Sequence, residues 1–156
     1  VANDNAPGQI VISGQTKAIT KAISIAPKFG VKKAIRLPVS APFHCSMMEP
    51  AAHVMAGALE ATKVYPPDVP LVTNVLASAM TGQPSEICDS LVEQVTSLVR
   101  WRESILWMSE RQISLFIEVG AGKILMGLNK RIDKNLTTLS LRDTDGIINF
   151  LTQIDC

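Results

Sequence analysis

The chain has 156 residues, 47% of them apolar and 19% charged, with a formal net charge of +1. That length suits one domain with a sizeable core, and no apolar run approaches the roughly 18 residues of a membrane span. Acids and bases read as interspersed, so the balance excludes the basic signature of a nucleic-acid partner.

The chain opens on Val1-Ala2-Asn3-Asp4-Asn5, without an initiator Met or a signal peptide, which predicts a fragment of a longer protein. Gln9 to Gly14 is a short β-branched run that stops at glycine, a strand by pattern. From Gln15 to Lys28 the pattern is helical, with Ala18, Ile19, Ala22, Ile23 and Ala26 on one stripe. Pro27 and Phe29-Gly30 should end that helix. Lys33 to Leu37 then alternates as a half-buried strand would.

Met47 to Thr62 predicts a helix with Glu49-Pro50 in its first turn. Pro66-Pro67-Asp68 breaks the chain before a strand at Pro70 to Asn74. Thr81-Gly82-Gln83-Pro84 is a turn, with Ser85 as the expected N-cap of a helix through Val95. A helix follows from about Trp101 to Arg111, then a buried strand at Leu115 to Val119 ending in Gly120-Ala121-Gly122. Leu125, Leu128 and Ile132 mark the next helix, Leu136 to Leu141 the last strand and Asp143 to Leu151 the last helix. Alternating strands and helices of this length predict an α/β layered fold.

The segment from Pro38 to Met48, Pro-Val-Ser-Ala-Pro-Phe-His-Cys-Ser-Met-Met, holds His44 between an extended stretch and a helix start. A histidine on a loop between rigid elements is a common seat for acid–base chemistry. The alternative is a loop histidine held by a backbone hydrogen bond. Cys45 and Ser46 adjoin it, but adjacency in sequence does not aim a thiol or hydroxyl at a neighbour's ring. Cys45, Cys88 and Cys156 are odd in number and widely spaced, which suits a reducing cytoplasm.

Gly120-Ala121-Gly122-Lys123 is neither a dinucleotide fingerprint nor a P-loop, since Leu125 and Ile117 stand where glycines are needed. A structural turn is the better reading, with weak anion affinity at the helix start as the alternative. His44, Cys45 and His53 match no zinc spacing, so no metal is expected. Lys123, Lys130, Arg131 and Lys134 read as a solvated face, with a dock for an acidic carrier protein as the alternative.

The His44 string resembles the histidine motif of malonyl-CoA:acyl-carrier-protein transacylases. Three further stretches resemble the same family in order: Asn3-Asp4-Asn5-Ala6-Pro7-Gly8-Gln9, Leu91-Val92-Glu93-Gln94 before Val99-Arg100-Trp101, and Glu118-Val119-Gly120-Ala121-Gly122-Lys123-Ile124-Leu125. The resemblance covers essentially the whole chain. It implies the C-terminal half of such an enzyme: residues 1–38 as the end of a ferredoxin-like small subdomain, and 39–156 as the C-terminal part of a large hydrolase-like α/β domain.

What the resemblance implies chemically is ping-pong malonyl transfer from CoA to the phosphopantetheine thiol of acyl carrier protein, with no cofactor. His44 would be the general base, oriented by the backbone carbonyl of Gln94 in place of a triad carboxylate. Asn3, Asn5, Gln9 and Gln94 would line the substrate site, and Phe43 hints at malonyl specificity. Alone, the three amides of the first stretch read equally well as a polar loop.

The family's nucleophilic serine, in a Gly-His-Ser-x-Gly elbow, and its carboxylate-binding arginine lie upstream of this chain, which contains no Gly-x-Ser-x-Gly. None of Arg36, Arg100, Arg102, Arg111, Arg131 and Arg142 matches the clamp motif. The chain alone is therefore expected to be inactive, with the N-terminal half as its partner and neither nucleic acid nor membrane as one. It should expose a strand edge and apolar surface, and self-associate or stay bound to that half. The rival readings are a polyketide-synthase acyltransferase of different acyl specificity and a non-catalytic structural fragment.

Overall fold

In a computed structural model the chain is an α/β structure described over residues 1–80 and 82–154, without the side chains of 153 and 154. Thr81, which begins the expected turn, and Cys156 lie outside the described residues. Among the described residues no helix is long and apolar enough to cross a membrane.

The first segment folds as a hairpin rather than a single strand: β1 (Asn3–Ala6) pairs antiparallel with β2 (Gln9–Val11). Pro7-Gly8 turns the chain. Gly8 has φ of 72°, the left-handed position that follows proline in a type II turn. The register shifts between Asp4 and Ala6, so Asn5 sits at an irregularity of the kind that re-aims a side chain. β1 is also held from its other side, where Asp4 N–H donates to the Val99 carbonyl at 2.9 Å and Val99 N–H to the Ala2 carbonyl at 2.9 Å.

The expected helix forms as α1 (Thr16–Ile25) and tightens into a 3₁₀ turn over Ala26–Phe29, where Pro27 cannot continue the α-helical ladder. Gly30, at φ 79°, closes it by donating to the Pro27 carbonyl at 3.1 Å. The strand expected at Lys33–Leu37 does not form, and residues 31–40 are exposed throughout. Alternation makes a strand only where a second strand offers its hydrogen bonds, and no described strand runs beside this one.

After the His44 loop, a 3₁₀ turn at Ser46–Met48 leads into α2 (Glu49–Glu60), with Pro50 in its first turn. The next strand is only β3 (Leu71–Val72), paired with an unanticipated β4 (Ala79–Met80). α3 (Pro84–Thr96) starts two residues before expectation: the N-cap is Gln83, not Ser85. Pro84 lacks the N–H that would otherwise go unpaired there, and the Glu86 carboxylate accepts the Gln83 N–H at 3.2 Å.

α4 (Trp101–Ser109), β5 (Leu115–Val119), α5 (Ile124–Ile132), β6 (Thr137–Leu141) and α6 (Thr144–Ile154) complete the chain. β5 and β6 are parallel with α5 between them, a βαβ unit in register from Leu115 opposite Thr137 to Val119 opposite Leu141. β5 is not the buried strand expected. Leu115, Ile117 and Val119 are exposed, Val119 by 73%. Among the described residues β6 is its one strand neighbour, so its other edge is unpaired there.

The core lies where β1, α4 and α5 meet. Ala2, Ala6, Ile105 and Leu128 are buried there, Ile105 completely. Trp101 reaches across from α4, its indole N–H donating to Asn129 Oδ1 on α5 at 3.0 Å.

Candidate functional site

Gln94 sits in the last turn of α3, and the final carbonyls of a helix have no intrahelical donor. The His44 ring fills that vacancy: Nδ1 lies 3.0 Å from the Gln94 carbonyl oxygen. A carbonyl only accepts, so Nδ1 carries the proton and Nε2 presents its lone pair. The side chain of Gln94 is fixed separately, donating from Nε2 to the Ser97 carbonyl at 3.0 Å. Its Nε2 is also 3.5 Å from Nδ1, but two N–H groups do not bond, and the shorter backbone contact sets the tautomer.

The backbone of His44 is itself unusual. Its φ is 58°, in the left-handed region that non-glycine residues seldom occupy and that recurs at functional positions. On the far side of the loop the Cys45 thiol donates to the Pro42 carbonyl at 3.1 Å, so that sulfur is already committed locally. The half-buried ring is thus gripped by a helix end on one side and by a tight turn on the other.

The three amides reach this region by another route. Asn3 and Asn5 are half-buried and alternate with buried Ala2, Asp4 and Ala6, so they share the opposite face of β1. Asn3 bridges Val99, five positions past Gln94, which ties the hairpin to the segment that holds the histidine. Gln9 points elsewhere, with Oε1 accepting from Arg131 Nη1 at 2.5 Å. The structure therefore joins His44 directly to Gln94, places Asn3 near by through the backbone, and engages Gln9 with α5.

His53 stands on the exposed side of α2, 3.9 Å from Glu49. Among the described residues no group of three His, Cys, Asp or Glu side chains is placed to hold a metal ion.

Two features escaped the sequence reading. Arg102 grips Asp4 through a fork, with Nε at 3.0 and 2.9 Å from the two carboxylate oxygens and Nη2 at 2.6 Å. The guanidinium is held above its usual range by the hydrogen bond and charge of Asp4. Arg100 is raised likewise by Glu103, and its Nη1 donates to the carbonyls of Val75 and Leu76 at 3.0 and 3.1 Å. Asp4 and Arg102 are 98 residues apart, and no local pattern announces such a pair.

The Gly120-Ala121-Gly122 turn is a structural one. The Glu118 carboxylate accepts from the N–H groups of Leu125 at 3.2 Å and Met126 at 2.8 Å, occupying the helix start where an anion would otherwise sit.

Comparison with known proteins draws these features together. The chain is 42% identical over 147 residues to the malonyl CoA-acyl carrier protein transacylase of Bacillus subtilis, covering 94% of this chain and 46% of that protein. With the transacylase of Escherichia coli K12 the identity is 40% over 141 residues, 90% of this chain and 45% of the other. Over nine-tenths or more of its length the chain is thus similar to malonyl CoA-acyl carrier protein transacylases. It spans about half the length of the curated relatives it matches.

Solved structures agree. An acyl-carrier-protein S-malonyltransferase from Bartonella henselae superposes with a TM-score of 0.93 at 43% identity, over 100% of this chain and 49% of that one. A malonyl-transacylase in complex with a type II PKS acyl-carrier protein superposes with a TM-score of 0.92 at 36% identity, over 97% of this chain and 49% of that one. No family model matches the chain.

Proposed function

We propose that this chain supplies the general-base part of a malonyl-CoA:acyl-carrier-protein transacylase, with His44 as the base. The observation that carries the reading is the 3.0 Å contact between His44 Nδ1 and the Gln94 carbonyl, which leaves Nε2 with its lone pair exposed to a reacting proton. The similarity to malonyl CoA-acyl carrier protein transacylases suggests the reaction.

In this mechanism a serine hydroxyl from outside residues 1–156 attacks the malonyl thioester while its proton passes to Nε2. The tetrahedral intermediate collapses, the CoA thiol leaves with that proton, and a malonyl ester remains. His44 next takes the proton of the carrier's phosphopantetheine thiol, which attacks the ester; the intermediate collapses, and the serine oxygen leaves with that proton. At each transfer positive charge forms on the imidazole. The open carbonyls at the end of α3 lie on its Nδ1 side and offset that charge, as the carboxylate of a full triad would.

Asn3 and Asn5 bind the acyl or pantetheine groups, as does Gln9 through the amide N–H groups its bond to Arg131 leaves over. The carboxylate-binding arginine comes from the same absent region as the serine, and the chain alone is inactive. Residues 1–38 are the end of the small subdomain and 39–156 part of the large one. The uncovered face of β5, the unformed strand at Lys33–Leu37 and Phe29, exposed by 78%, support the missing half of the enzyme as the partner that covers them. The free thiols of Cys45 and Cys88 suit the cytoplasm.

The test is acyl transfer by the full-length protein from malonyl, methylmalonyl and acetyl thioesters to holo acyl carrier protein. Malonyl transfer should dominate. A preference for either of the others would move the protein to a related acyltransferase of different specificity.

A further inference from the structure

Three consecutive residues at the start of α4 each hold a different, distant part of the chain. Arg100 Nη1 donates to the Val75 and Leu76 carbonyls, at 3.0 and 3.1 Å. The Trp101 indole binds Asn129 on α5 at 3.0 Å. Arg102 takes both carboxylate oxygens of Asp4 on β1, at 2.6 to 3.0 Å. Asp4 is 8% exposed, so a buried carboxylate is answered by a fork rather than by a single bond.

This grip falls where β1 needs it. The pairing of β1 with β2 shifts register between Asp4 and Ala6, and a strand of Asn-Asp-Asn has little propensity to hold its own twist. Successive side chains leave a strand on opposite faces. Drawing the Asp4 side chain onto α4 therefore turns Asn3 and Asn5, its neighbours on either side, to the other face. A lysine would supply the charge, but not the paired bonds that fix rotation about the strand. The histidine is held independently of this grip, by the Gln94 carbonyl at the end of α3. The backbone bonds that join β1 to Val99 do not use the fork either.

We propose that Arg102 is a positioning residue for substrate binding, which through Asp4 aims the amides of Asn3 and Asn5 at the acyl or pantetheine groups of the thioester. This deepens the transacylase reading above and rests on it. Because the fork holds the amide strand and not the base, its loss should weaken substrate binding and spare the chemical step, which raises KM and leaves kcat in place.

The experiment is steady-state malonyl transfer by the full-length protein, with kcat and KM for malonyl-CoA measured separately and circular dichroism reporting the fold. Arg102→Ala should raise KM about tenfold, the scale of one misaimed hydrogen bond, with kcat within about threefold of wild type. In an Asn3→Ala/Asn5→Ala background the same substitution should add little, since the amides through which it acts are gone. Asp4→Asn keeps the side chain's shape and one acceptor, so it should shift KM in the same direction by less, and it carries the test if Arg102→Ala does not fold. Arg111→Ala removes a cation stacked 3.8 Å from the centre of the Trp107 ring, just beyond the far end of α4, and should leave both constants unchanged. An unchanged KM in the Arg102 and Asp4 variants, a fall in kcat alone, or full multiplication with the amide variant would overturn the role, while malonyl transfer by the wild type upholds the reaction. A wild type that transfers no acyl group removes the reading above and this proposal with it.

Discussion

His44→Asn in the full-length protein should lower malonyl transfer by roughly 10²–10⁴-fold, the usual share of a positioned general base, which is about 3–5 kcal/mol of transition-state stabilisation. Asparagine is the better probe than alanine because His44 has φ of 58°, a conformation Asn tolerates well. The loss then reports the missing base rather than a strained loop. Since the ring is oriented by the Gln94 backbone carbonyl, a Gln94→Leu substitution leaves that acceptor in place and should cost far less than His44→Asn. Steady-state transfer rates for the two variants, alongside their circular dichroism, check both statements. A His44→Asn enzyme within a few-fold of wild type would remove the histidine from the chemistry.

Ile105→Ala should destabilise the chain by about 2–5 kcal/mol, the range for emptying a buried aliphatic site. Ile105 is 0% exposed and lies where α4 meets β1 and α5. The same helix carries Trp101 and Arg102, which tie it to α5 and to Asp4. Loosening α4 therefore also releases the strand that bears Asn3 and Asn5. Ile105→Val should cost only about 0.5–1.5 kcal/mol, and Ile124→Ala, at a site 74% exposed, less than about 0.5 kcal/mol. Urea denaturation of the three variants gives the comparison. An Ile105→Ala midpoint matching wild type would mean that the core lies elsewhere.

Much of the fold after the His44 loop is legible because its signals are local. Apolar spacing gave α4 and α5, the β-branched and aliphatic runs gave β5 and β6, and Pro50 marked the start of α2. What failed depended on partners distant in sequence. Lys33–Leu37 alternates correctly but has no strand to pair with. β1 is built from Asn-Asp-Asn-Ala, poor strand formers held by β2 on one side and Val99 on the other. β5 reads as buried by composition, yet Leu115, Ile117 and Val119 are exposed among the described residues.

The site divides in the same way. The Pro-Phe-His loop was conspicuous and its family resemblance named a partner for the ring, whereas the Asp4–Arg102 fork left no trace in the sequence. Nor are the acids and bases interspersed: the basic run from Lys17 to Arg36 is readable by counting charges segment by segment, and whole-chain net charge hides it.

The central claim is that His44 serves a nucleophile lying outside residues 1–156. Intact-mass and peptide mass spectrometry after incubation with malonyl-CoA tests it most directly. The full-length protein should gain one malonyl group, mapped to a serine beyond these residues, while this chain alone should gain none. A stable malonyl adduct on any residue of this chain, Ser46 and Cys45 included, would contradict the account.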